Sequence, residues 1–213
     1  MRAAERGFTL VEIAIVLVLI GLLLGGILKG QEMVNQARFK SVIADFSGVS
    51  AAYAAYMDRY RAVPGDDPNS GLRWAGANSG DGNGQIRGKY NSQNDADESR
   101  LWWAHLRRAG FIAGAGALQP YSAVAGLIGV QTGDGGSPVG PALNGFVSLI
   151  VCFAGLPDKM ALAVDTQMDD GLPATGAVRA QLHTGGPSPD IAAAAAPIYA
   201  ETGTNVYTLC RPI

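Results

Sequence analysis

From Phe8 to Leu28 the chain runs for 21 residues with a single charge, Glu12, and that run limits what the rest can be. At 1.5 Å per residue, a helix of this length covers about 32 Å, enough to cross the ~30 Å hydrocarbon core of a bilayer. A carboxylate near the centre of such a span costs about 2.5–3.5 kcal/mol even on lenient insertion scales. Glu12 therefore asks for a partner. If the backbone were cut between Gly7 and Phe8, the new amino group would be a positive charge available to Glu12 of another copy. A carboxylate about 4 Å from an ammonium, at an effective dielectric near 20, gains roughly 4 kcal/mol before desolvation, which offsets an insertion cost of similar size.

A secretory signal peptide places its small-residue cleavage site beyond the apolar stretch. Here the order is reversed: a short polar leader ends in Arg6-Gly7 ahead of the apolar run, so a cut there leaves the hydrophobic helix on the mature chain. Arg2, Arg6 and the initial amine favour a cytoplasmic N-terminus; Lys29 opposes this and is offset by Glu32. Residues after about 30 are then expected outside the inner membrane, in an oxidising compartment that permits a Cys152–Cys210 disulfide. Two buried thiols are the competing reading.

The segment Gly7-Phe8-Thr9-Leu10-Val11-Glu12 resembles the class III signal of type IV pilins and type II secretion pseudopilins. The resemblance spans Gly7 to roughly Tyr60 and is specific, because short leader, Gly–Phe junction, acid and apolar run occur together. It implies that a prepilin peptidase cuts after Gly7 and methylates the amine of Phe8. It also implies that Glu12 helps to register subunits during filament assembly. A simple signal-anchor helix whose Glu12 reaches the headgroups is the alternative. One departure stands out: many pilins carry a proline near the position of Lys29, and this chain has none. Gly21, Gly25, Gly26 and Gly30 can loosen the helix instead, at about 1 kcal/mol of propensity each, or let helices pack closely.

Past the apolar run, Phe39, Val42, Phe46, Val49, Tyr53, Tyr56 and Tyr60 recur at steps of three and four, the stripe of a helix with one buried face. Barely three heptads and an aromatic seam fit packing on a sheet better than a coiled coil. Pro64-Gly65-Asp66-Asp67-Pro68 ends that helix, and residues 62–97 read as a long surface loop. A second helix is expected over Glu98–Ala109, started by Asn94, Asp95 or Asp97 and stopped by Gly110. Trp102 on its apolar face reads as core, and His105 as a core-edge histidine rather than a ligand. Residues 113–145 offer Gly-rich turns. Strands are expected at Phe146–Phe153, Met160–Asp165 and Val206–Cys210, with a short fourth at Val178–Leu182. Gly155-Leu156-Pro157-Asp158 reads as a hairpin-like connection between the first two. The fold class is α+β: a long N-terminal helix, half transmembrane and half amphipathic, packed on an antiparallel head, as the pilin resemblance also implies. The expected divisions are a leader at 1–7, a membrane or filament-core helix at 8–28, an amphipathic helix at 29–61 and a loop-rich head at 62–213.

Net charge −2, falling to about −3 without the leader (14 basic against 17 acidic residues), and the lack of any Lys/Arg cluster give no clear nucleic-acid site. Neither histidine, His105 or His183, sits near a GxSxG, HExxH or Cys/His arrangement, so no catalytic residues are expected. Gly80-Asp81-Gly82-Asn83-Gly84 fails as an EF-hand, because its first and last ligands would be Ser79 and Tyr90; a Gly/Asn turn fits better. Asp165, Asp169 and Asp170 cluster after an expected strand. Some major pseudopilins hold calcium in their heads, so these three are the candidate calcium ligands, against an ordinary Asp-Asp-Gly turn. Expected partners are copies of itself or other pilins, the prepilin peptidase, the inner membrane, and the assembly platform with its ATPase. The resulting function is a structural filament subunit without catalytic activity. The alternative is a membrane-anchored module, a minor pilin recognising DNA, a surface or a secreted substrate.

Overall fold

The computed structural model describes residues 8–135, 142–183, 186, 188–192 and 194–213. They fall into two compact units that meet between Arg38 and Phe39. Helix α1 (Leu10–Tyr60) is the first element among the described residues and contributes to both. In the first unit every described residue from Phe8 to Arg38 is exposed, and the helix is long and apolar enough to cross a membrane.

In the second unit α1 gains a buried face. Val42, Phe46, Val49, Ala52 and Tyr56, at steps of four, three, three and four, are buried, and Phe39, Ile43, Tyr53 and Tyr60 flank them half-buried. The expected stripe is therefore realised as helix on sheet. Phe46 stacks on Phe153 with ring centroids 3.8 Å apart, and Tyr53 stacks on Trp102 at 5.3 Å. The helix stops at Tyr60 because Arg61 turns into the left-handed region (φ 54°), with its amide on the Met57 carbonyl.

The sheet has four antiparallel strands: β1 (Ile128–Thr132), β2 (Leu149–Pro157), β3 (Arg179–Leu182) and β4 (Val206–Pro212), in the order β1-β2-β4-β3. Alternation along β2 divides its side chains between two cores, as a period of two requires. Val151 and Phe153 face the core that holds α1, whereas Ile150, Cys152 and Ala154 join Tyr90, Leu143 and Phe146 on the other face. Cys152 lies directly opposite Cys210 on β4, and the two form a disulfide. Helix α3 (Glu98–Arg108) follows the expected Glu98–Ala109 closely; Asp97 is its N-cap residue and Gly110 (φ 80°) follows it. Trp102 and Trp103 are both fully buried, as is His105, which the sequence places only at the core's edge.

Three expectations are corrected. Met160–Asp165 is not a strand but part of helix α4 (Asp158–Met168), which buries Ala161, Val164 and Asp165 at helical spacing. Gly155-Leu156-Pro157 is no hairpin: it continues β2 past a bulge between Phe153 and Leu156, with Gly155 at φ 72°. Strand β1 emerges from the 113–145 region read as turns. In addition, the 62–97 segment is not merely a surface loop. It contains the short helix α2 (Ser70–Arg73) and buries Asp66, Asp67, Ile86 and Tyr90.

Candidate assembly site and acidic loops

At the start of α1, Thr9 and Glu12 form a capping box. The Glu12 carboxylate accepts the Thr9 backbone N–H and hydroxyl, both at 2.8 Å, and Thr9 Oγ1 accepts the Glu12 N–H at 3.3 Å. Thr-x-x-Glu ahead of an apolar run is the sequence form of this motif. It satisfies two orphan donors at the helix start and places the lone acid beside the helix's positive end. Phe8 precedes it and is 84% exposed. Gly7, the other residue of the expected junction, lies outside the described residues. From Phe8 to Leu28 the single chain covers none of its own apolar surface, so lipid or neighbouring helices must do so.

In the second unit, Asp165, Asp169 and Asp170 come together: one oxygen from each lies within 4.8 Å of the others. Each carboxylate already has donors within its own loop. Asp165 accepts the Gly171 N–H and the Tyr199 hydroxyl, Asp169 accepts the N–H groups of Ala177 and Val178, and Asp170 accepts the Leu172 N–H and the Thr175 hydroxyl. Burial raises the Asp165 pKa, and the neighbouring Asp170 and Asp169 charges add to the rise against the Tyr199 bond. The Thr175 hydrogen bond leads the causes that lower Asp170. These bonds are those of an Asp-Asp-Gly turn, and the same three carboxylates stand close enough together to be the candidate calcium ligands.

A second acidic group, Asp66, Asp81 and Glu98, escaped the sequence reading. Asp66 is the hub of the 80–84 turn: Oδ1 accepts the N–H groups of Gly82 (2.6 Å) and Asn83 (3.1 Å), and Oδ2 accepts that of Gly84 (2.7 Å). Glu98 accepts the N–H groups of Asp81 and Arg87. Burial raises the Glu98 pKa, and those two bonds oppose the rise. His105 locks the same region. Its Nδ1 accepts the Gly65 N–H at 2.9 Å, and Nε2 donates to the Asn78 carbonyl at 2.8 Å. The local sign of this arrangement is a Gly-rich run whose own acceptors, Asp81 and Asn83, take only the backbone N–H groups of Asn83 and Gln85.

A long N-terminal apolar helix, a continuation packed on a four-stranded antiparallel sheet, and a disulfide joining two neighbouring strands define a pilin-like α+β protein. Residues 2–28 match the family described as the prokaryotic N-terminal methylation motif, the class III signal of type IV pilins and pseudopilins. The N-terminal segment is therefore similar to the signal that type IV pilin-like and pseudopilin precursors carry. No curated protein matches it.

Proposed function

We propose that the mature chain is a structural subunit of a type IV pilus or of a type II secretion pseudopilus. Prepilin peptidase cuts after Gly7 and methylates the Phe8 amine. The helix from Phe8 to Leu28 then leaves the inner membrane for the core of a helical filament, drawn by an assembly platform and its ATPase. Within the filament, Glu12 pairs with the Phe8 amine of the adjacent copy. The observation that carries this reading is the apolar span with one acid in its first turn, exposed along its whole length in the isolated chain. Arg2 and Arg6 support a cytoplasmic N-terminus, and the Cys152–Cys210 disulfide supports a head in an oxidising compartment. The role is structural, with the chain a substrate of the peptidase rather than an enzyme.

Mass spectrometry of the purified N-terminus tests the processing: the expected species begins at a methylated Phe8, and an intact Met1 contradicts it. Glu12→Ala tests the assembly. The variant is expected to remain in the membrane in full amount while filaments disappear, and filaments at the wild-type level would contradict the role given to Glu12.

A further inference from the structure

The turn at residues 81–84 reads Asp-Gly-Asn-Gly, and every residue of it is exposed. An Asn or Asp followed by glycine is the pairing most open to imide formation, because glycine has no Cβ to keep its backbone nitrogen from the preceding side chain. At Asn83 the Gly84 nitrogen would give up its proton and bond to the side-chain carbonyl carbon, ammonia would leave, and a cyclic imide would result. Water then opens the ring at either carbonyl, giving aspartate or isoaspartate. Solvent supplies both the base and the water, so exposure favours every step.

The fold restrains only one partner of that reaction. Asn83 Oδ1 accepts the Gln85 N–H at 2.8 Å, which polarises the side-chain carbonyl and does nothing to blunt it as an electrophile. The nucleophile is held. The Gly84 N–H donates to Asp66 Oδ2 at 2.7 Å, and the Gly82 N–H donates to Asp66 Oδ1 at 2.6 Å and to the Asp66 carbonyl at 3.0 Å. Asp66 is 3% exposed, and a charge-assisted bond to a carboxylate shielded from water is stronger than one in solvent. Stripping the Gly84 proton there sets an amide anion against a carboxylate, and turning the nitrogen onto Asn83 breaks the bond outright. The cradle has little slack, since a Cβ on Gly80 would lie 2.3 Å from the Asp66 Cα.

We propose that Asn83 is a latent deamidation site and that Asp66 is the residue that holds it closed, with Asp81-Gly82 guarded in the same way. Conversion at Asn83 adds a negative charge beside Asp66 and Asp81, both of which accept its backbone N–H. Isoaspartate also lengthens the main chain by a methylene, which draws the Gly84 N–H away from Asp66. The change therefore loosens the turn that prevents it. The site lies wholly in the second unit and is independent of the filament reading.

Asn144-Gly145, also exposed, supplies an internal reference: the Gly145 N–H donates to the neutral Ala142 carbonyl at 3.1 Å and not to Asp66. The test is the rate of deamidation at each asparagine, followed by peptide mapping and mass spectrometry of the folded, detergent-solubilised chain in warm neutral buffer. Asp66→Asn keeps the shape, removes the charge and turns an NH2 toward the glycine amides. It is expected to speed conversion at Asn83 by about tenfold or more, the factor that losing one hydrogen bond to a charged group corresponds to, and to leave Asn144 unchanged. The proposal is overturned if Asn83 converts at the same rate with and without Asp66, or if Asn83 of the unaltered chain converts as fast folded as in urea. If the variant converts both sites faster alike, or does not form the Cys152–Cys210 disulfide, it has lost its fold, and amide exchange in the unaltered chain decides instead. Gly84 is then expected to exchange about tenfold or more below its intrinsic rate despite its exposure, and exchange at the intrinsic rate would overturn the guard.

Discussion

Glu12 is occupied before any neighbour reaches it. Its carboxylate accepts the Thr9 N–H and hydroxyl, which fix its orientation at the helix start and leave its charge in place. In the proposed filament, an amine from a neighbouring copy would meet an acceptor already oriented by its own helix start. At the same scale, His105 is a titration device. Burial lowers its pKa below the ordinary 6.5, and the Arg73 and Arg108 charges reinforce this against the Asn78 bond. A base with a depressed folded pKa is neutral in the native state while the unfolded chain takes up a proton. Its contribution to stability is therefore complete above about pH 6.5 and declines as pH falls from there through the folded pKa. Protonation would also put an N–H against the Gly65 N–H. We expect protection of the Gly65 amide, its exchange rate relative to the intrinsic rate at each pH, to fall as pH drops through the folded pKa of His105, and His105→Gln to flatten that dependence; identical Gly65 protection profiles in the two proteins would contradict it. The histidine's burial was half legible, since the helical face could be read from spacing. Its partners were not, because Gly65 and Asn78 lie 40 and 27 residues away with no local pattern to reveal them. Asp66 escaped for the same reason, its donors being 16 to 18 residues ahead.

Among the elements, α1 and α3 were readable because their apolar residues repeat at three and four and their ends carry Gly or Pro. β2 and β4 were readable as short β-branched runs. Helix α4 was misread because Met160-Ala-Leu-Ala-Val-Asp165 is short and apolar enough to fit either period. What decided the outcome was tertiary: burying Ala161, Val164 and Asp165 on one face needs the helical spacing. β1 was missed because Gly129 interrupts it, and the reason for that glycine lies elsewhere in the chain. A Cβ there would come within 2.0 Å of the Tyr90 carbonyl oxygen. The disulfide joins β2 to β4 across a sequence separation of 58 residues. Loop-closure entropy for a crosslink of that span is worth about 4 kcal/mol. Replacing both Cys152 and Cys210 by Ala is expected to lower the unfolding free energy of the detergent-solubilised protein by about 2–4 kcal/mol, measured by denaturant titration of tryptophan fluorescence. A loss under about 1 kcal/mol would show that packing, not the bridge, holds these strands together.

At the scale of the whole molecule, the sequence announced the membrane segment most clearly, since length and apolarity alone decide that a helix can span a bilayer. The acidic loops were the least legible part, because carboxylates close a turn and hold an ion with the same residue types. The thermal midpoint in millimolar calcium against that in chelator separates the two: a calcium-dependent rise that Asp169→Asn abolishes assigns an ion to Asp165, Asp169 and Asp170, and equal midpoints leave these residues as a turn. The strand order has one further consequence, for biosynthesis. β4 lies between β2 and β3, yet the ribosome makes it after both. A nascent chain halted before Val206 holds the β1–β2 pair but leaves β3 with no strand to pair with. That open seam distinguishes an unfinished chain from a complete one.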